Sequence, residues 1–102
     1  MSIREVKESP LEQGVDEEIQ YQLTTTPWGS SPTSVSVVVK DDSDGADITA
    51  TVMPVNSPSV AGDVITLSPL KSLTAGDNYR VEIKFTAGGN VWETYLLIKA
   101  TP

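Results

Sequence analysis

One pattern governs the chain from Tyr79 to Ile98. Tyr79, Val81, Ile83 and Phe85 occupy every second position, Gly88-Gly89 interrupts, and Trp92, Thr94, Leu96 and Ile98 resume the alternation. Such a period of two marks a half-buried strand, because successive side chains leave a pleated backbone on opposite sides. Gly-Gly between two such runs predicts a two-residue turn, whose central positions favour residues that accept positive φ. The turn fixes the register: Ala87 faces Asn90, Phe85 faces Trp92, Ile83 faces Thr94, Val81 faces Leu96 and Tyr79 faces Ile98. The last four pairs hold a single polar residue, Thr94, as one buried face requires. A slip of one residue would turn that whole set to solvent. The opposite face carries Arg80, Glu82 and Lys84 beside Glu93, Tyr95 and Leu97, with Lys84 opposite Glu93 as a favourable charge pair. A fully solvated strand has no use for Tyr95 and Leu97. These six residues form the candidate interaction face. The competing reading is that Tyr95 and Leu97 cover the aliphatic stems of Arg80 and Lys84 within the monomer.

The run before this hairpin, Leu73-Thr-Ala-Gly76-Asp-Asn-Tyr79, forms a tight corner with a tyrosine at the entrance to the strand. It resembles the tyrosine corner of immunoglobulin-like sandwiches, in which the hydroxyl bonds to backbone a few residues upstream. Leu73, Gly76 and Tyr79 are its expected structural residues.

At 102 residues the chain is the size of one seven-stranded sandwich. A domain of this size buries roughly two-thirds of its unfolded surface, enough for a core without staples. Cysteine is absent, which excludes a disulfide, a thiolate metal site and a cysteine nucleophile. Histidine, the commonest general base and metal ligand, is absent too. The net charge of −7 disfavours nucleic acid and anionic membrane as partners. Met1 to Glu8 has no apolar segment of the signal-peptide type, and no run approaches a membrane span. The expected location is cytoplasmic before any assembly, with no signal peptide.

Elsewhere the signals are shorter. Ile3 to Val15 predicts at most a short edge strand and a loop, the edge guarded by Arg4, Glu5, Lys7 and Glu8. Glu17 to Thr26 predicts a strand with Ile19, Tyr21 and Leu23 on one side. It stops at Pro27-Trp28-Gly29-Ser-Ser-Pro32, where Trp28 is expected to cap one end of the core, or else to stack on a ligand. Ser34 to Lys40 predicts a strand with Val35, Val37 and Val39 inward. Asp44-Gly45 predicts a hairpin turn placing Ala50 opposite Val39 and Val52 opposite Val37. The carboxylates of Asp41, Asp42, Asp44 and Asp47 suggest a calcium loop, but that template puts Lys40 at its first position and Thr51 at its twelfth. A solvated turn is expected, with no metal. Met53 to Gly62 reads as a connection between sheets, and Asp63 to Leu67 as a strand with Ile65 and Leu67 inward.

Taken with Lys7-Glu-Ser-Pro10, Pro27-Trp28 and Trp92-Glu-Thr-Tyr-Leu-Leu-Ile98, the corner gives the chain a wider resemblance. It is similar to small immunoglobulin-like proteins encoded by phages and prophages, whose structural motifs recur in fibronectin type III domains. The resemblance implies an all-β, single immunoglobulin-like sandwich of about seven antiparallel strands in two sheets. It further implies Greek-key connections, residues 1–16 as edge strand and loop, and 17–100 as the core. It brings no catalytic residues and no cofactor. It implies an accessory, virion-associated or host-adhering module. A non-enzymatic protein that binds a protein partner or itself through the Tyr95/Leu97 face is the leading expectation. A carbohydrate-binding module, stacking sugars on exposed aromatics, is the alternative.

Overall fold

A computed structural model describes residues 3–5, 11–26 and 28–102. The segment Lys7–Pro10 and Pro27, which contribute to the resemblance, lie outside the described residues, as do Val6 and the side chains proposed to guard the first edge. The elements are β1 (Ile3–Glu5), β2 (Leu11–Gly14), β3 (Gln22–Thr24), β4 (Thr33–Asp41), α1 (Thr49–Val52), β5 (Ser59–Ala61), β6 (Val64–Thr66), β7 (Asn78–Ala87) and β8 (Asn90–Thr101). They form two sheets in a sandwich-like, all-β arrangement. In one, β7 lies between β8 and β4, and β1 and β2 share the far side of β8; the other has the order β3-β6-β5.

The β7–β8 hairpin follows the register set by Gly88-Gly89, from Ala87 opposite Asn90 to Tyr79 opposite Ile98. Both turn glycines have positive φ, 59° and 78°. Its inner row supplies Tyr79, Val81, Ile83, Phe85, Leu96 and Ile98 to the core. Val37 and Val39 of β4 join from one side, and Leu23, Ile65, Leu67, Leu70 and Leu73 from the facing elements. Thr94, the polar member of the inner row, is fully buried, and its hydroxyl donates to the Ile83 carbonyl at 3.3 Å. Tyr79 is buried, and its hydroxyl accepts the Thr74 N–H at 2.7 Å across the corner that Gly76 turns.

Four expectations need correction. The Asp44-Gly45 turn does not return a strand. Asp41 N–H bonds the Ala46 carbonyl at 2.9 Å, closing a longer turn, and the chain then enters α1. The reason lies in the side chains. Asp41 Oδ1 accepts from the Ser43 N–H and hydroxyl, Asp44 Oδ1 from Ala46 N–H, and Asp47 Oδ1 from Thr49 N–H and hydroxyl. Short polar side chains thereby offer the backbone partners that a ladder would otherwise supply. Thr49 Oγ1 even takes the Val39 N–H at 2.9 Å, where a strand neighbour had been expected. Ala50 is therefore exposed, and Val52 reaches the core from a helical turn.

The expected strand over residues 17–26 is regular only in β3. Ile19 still bridges Leu70, but Gln22 pairs Thr66, so the register shifts by one between them. Pro69, which has no N–H, lies on the facing segment where the ladder fails. The third correction is β2, which forms where a loop was expected. It runs parallel to β8, as β1 does, so the strands are not all antiparallel. The fourth is β5, hidden in the 53–62 connection and joined to β6 by a turn at Gly62-Asp63.

Candidate interaction surface

The outward row of the larger sheet can be read strand by strand. It includes Ser36, Val38 and Lys40 on β4, Arg80, Glu82 and Lys84 on β7, Glu93, Tyr95, Leu97 and Lys99 on β8, and Glu12 on β2. Hence the six expected residues, Arg80, Glu82, Lys84, Glu93, Tyr95 and Leu97, do share one face. Pairing puts Arg80 beside Leu97, Glu82 beside Tyr95 and Lys84 beside Glu93.

Contacts within the face centre on Glu82. Its carboxylate holds Arg80 Nε at 3.0 Å through one oxygen and Lys40 Nζ at 3.4 Å through the other. The Arg80 guanidinium carbon also stands 4.0 Å from the Tyr95 ring centroid, a cation–π contact. Sequence reading placed the charge pair at Lys84–Glu93. These two are in register, but the ion pairs among the described residues are Lys40–Glu82, Lys71–Glu18 and Arg80–Glu82. Lys40 was missed because its partner sits diagonally on β7, not directly across the ladder. Beside the network, Ser36, Val38, Glu82, Lys84 and Glu93 border a shallow hollow of about 160 Å³.

The face departs from the molecule's overall charge. Four of the seven basic residues, Lys40, Arg80, Lys84 and Lys99, point outward from this sheet, against three acidic residues among the described side chains, Glu12, Glu82 and Glu93. The face therefore gathers most of the basic residues of a chain whose net charge is −7. Tyr95 and Leu97 are half-buried within it.

The aromatic end is a second surface. Trp28 packs tilted against Phe85, centroids 6.1 Å apart, and Trp92 lies opposite Phe85 on β8 with its Nε1–H on the Ala87 carbonyl at 3.2 Å. Both tryptophans are half-buried. Gly29 lets this loop lie against the hairpin, since a Cβ there would stand 2.8 Å from the Ala87 Cβ. Thr25, fully buried, donates its hydroxyl to the Gly29 carbonyl at 2.8 Å and holds the loop down.

A third cluster, illegible in the sequence, centres on Gln13. It is fully buried on β2 and donates to the carbonyls of Leu70 at 2.7 Å and Glu17 at 2.9 Å, while accepting the Tyr21 hydroxyl at 2.8 Å. Burial, and then the Glu17 carboxylate, raises the Tyr21 phenol above its ordinary value. Every polar atom of the Gln13 amide that the fold buries has a partner. That makes it a clip between β2 and the Glu17, Tyr21 and Leu70 segments, not a reactive group.

The acidic turn spends its carboxylates on itself. Hydrogen bonds from Ser43 lower the Asp41 carboxyl below its ordinary value, and those from Thr49 do the same for Asp47. Among the described residues no group of three or more acidic side chains is arranged to hold a metal ion. No helix among them is long and apolar enough to cross a membrane. Comparison with protein families, with characterised proteins and with solved structures finds no match.

Proposed function

We propose that this chain is a non-catalytic, immunoglobulin-like module that works by docking a protein partner on the outer face of its larger sheet. The observation that carries the reading is the composition of that face. Tyr95 and Leu97 sit among Arg80, Glu82, Lys84, Glu93 and Lys40, a half-buried apolar pair rimmed by charge. Aromatic and arginine anchors inside a polar rim are what protein interfaces use. The Arg80–Tyr95 stack and its bond to Glu82 hold the anchor in place before contact, which lowers the ordering cost of binding. The partner that fits is a protein surface with carboxylates around an apolar spot, because the face gathers most of the chain's basic residues. The sandwich-like sheets and the Tyr79–Thr74 corner support the immunoglobulin-like, Greek-key reading. The segment resemblance supports an accessory or virion-associated phage part.

Leu97→Asp tests the docking face. Analytical ultracentrifugation of the wild-type chain with proteins of its source particle or cell is expected to reveal a complex with one of them. The variant should lose that complex while its thermal midpoint barely moves. A wild-type chain that recovers no partner rejects the reading, leaving Tyr95 and Leu97 as cover for their neighbours' stems.

The carbohydrate alternative has one observation in its favour, that Trp28 and Trp92 flank Phe85 and neither is fully buried. Oligosaccharide titration followed by tryptophan emission decides it; unchanged emission over a broad panel of sugars excludes it.

A further inference from the structure

Of the seven basic and fourteen acidic residues, only Asp63 falls within the stretches 19–39 and 48–70. Those stretches contain all three strands of the smaller sheet, β3, β5 and β6. Its outward rows read Gln22–Thr66–Ser59 and Thr24–Val64–Ala61, without a charge. One side of an acidic molecule is therefore neutral.

At the margin of that sheet lies β5. Among the described residues it pairs only with β6, and all three of its residues are exposed. Val60 belongs to the same inward row as Leu23 and Ile65, which are 4% and 0% exposed, yet it is itself 41% exposed. Val55, in the connection leading to β5, is 63% exposed. A two-residue turn at Gly62-Asp63 makes Ala61 and Ser59 the residues that exchange hydrogen bonds with β6. The N–H and C=O of Val60 then point to the open margin.

We propose that β5 is a homotypic edge, at which two copies of the chain pair antiparallel with Val60 opposite Val60, joining two three-stranded sheets into one of six strands. An open strand edge presents alternating donors and acceptors, and the surface complementary to it is another strand edge. Charge selects a second copy of this chain. Two copies at −7 repel, and the stretch 48–70 that carries β5 brings only Asp63 as a charge toward a like-charged copy. The pairing also covers Val60, which the described residues leave 41% exposed. Three residues make a short edge, and Pro58 limits its extension, so the contact is weak, with a Kd on the order of 0.1–1 mM. It operates where copies are concentrated, as on a repeating surface.

The test is sedimentation equilibrium of the chain from about 20 µM to about 1 mM, with amide exchange measured at both ends of the range. The apparent mass should rise toward twice the monomer, and the Val60 amide should slow by about two- to fivefold as the dimer fills. Val60→Lys, folded by its tryptophan emission, should remain monomeric, and Leu97→Asp should still associate. A monomer throughout, with the Val60 amide exchanging freely at both concentrations, overturns the proposal. Association that Leu97→Asp abolishes and Val60→Lys spares also overturns it, and assigns self-contact to the outer face of the larger sheet instead. Because the wild-type exchange readout needs no variant, misfolding of Val60→Lys does not blunt the test.

Discussion

Tyr79 does two jobs at the price of one side chain: its ring fills the inner row beside Ile98, and its hydroxyl closes the corner on Thr74 N–H at 2.7 Å. Tyr79→Phe keeps the ring and leaves the part-buried Thr74 N–H without its partner. It should lower stability by about 1–1.5 kcal/mol in a chemical-denaturation midpoint, with the fold retained. An unchanged midpoint would mean that the bond does not hold the corner. Gly29 is a residue of the opposite kind, required for what it lacks. A methyl group at 2.8 Å from the Ala87 Cβ forces the Trp28 loop off the hairpin, so Gly29→Ala should cost about 1–3 kcal/mol and alter the tryptophan emission. Emission identical to wild type would contradict the close approach. Asp41 and Asp47 make the pH prediction. Their carboxyls titrate below the ordinary 3.8 because the charged form accepts hydrogen bonds from Ser43 and Thr49. A depressed folded value stabilises the turn above the unfolded value, and that contribution is lost as pH falls through the folded value. NMR titration of the two side-chain carboxyl carbons should give midpoints under 3.8, with the Ser43 and Thr49 amides shifting alongside. Midpoints at or above that value would remove the turn's stated cause.

At the scale of elements, legibility followed the number of independent constraints on each strand. β7 and β8 were readable because apolar alternation, the Gly88-Gly89 turn and a plausible outer face all demanded one register. β4 was readable from Val35, Val37 and Val39, although Ser34 takes a φ of 53° where the register shifts between Thr33 and Ser36. The Asp44-Gly45 hairpin failed for a local reason. The sequence pattern weighs backbone turn types, whereas three aspartates bonding their own backbone made a helical turn better satisfied than a returning strand. β5 has no alternation to read, since Ser59, Val60 and Ala61 are all exposed. Gln13 is the sharpest miss. A lone glutamine in a charged segment reads as surface, and only the packed fold reveals its carbonyl partners at Glu17 and Leu70. The candidate face was legible because period two assigns its residues to one side. Its hub was not, because the Lys40–Glu82 contact runs diagonally between strands.

The whole molecule has two unlike sides built on one hairpin. The larger sheet turns a charged, aromatic-anchored face outward, and the smaller sheet turns out a neutral one. Both faces depend on β7, the strand flanked by β8 and β4, whose inner row meets the core at Val81, Ile83 and Phe85, each at most 1% exposed. Native-state hydrogen exchange tests that dependence most directly. The β7 amides should be the slowest in the molecule, opening only with global unfolding, while α1 and β5 open locally and much faster. Amides of β3 and β6 that outlast those of β7 would contradict the account.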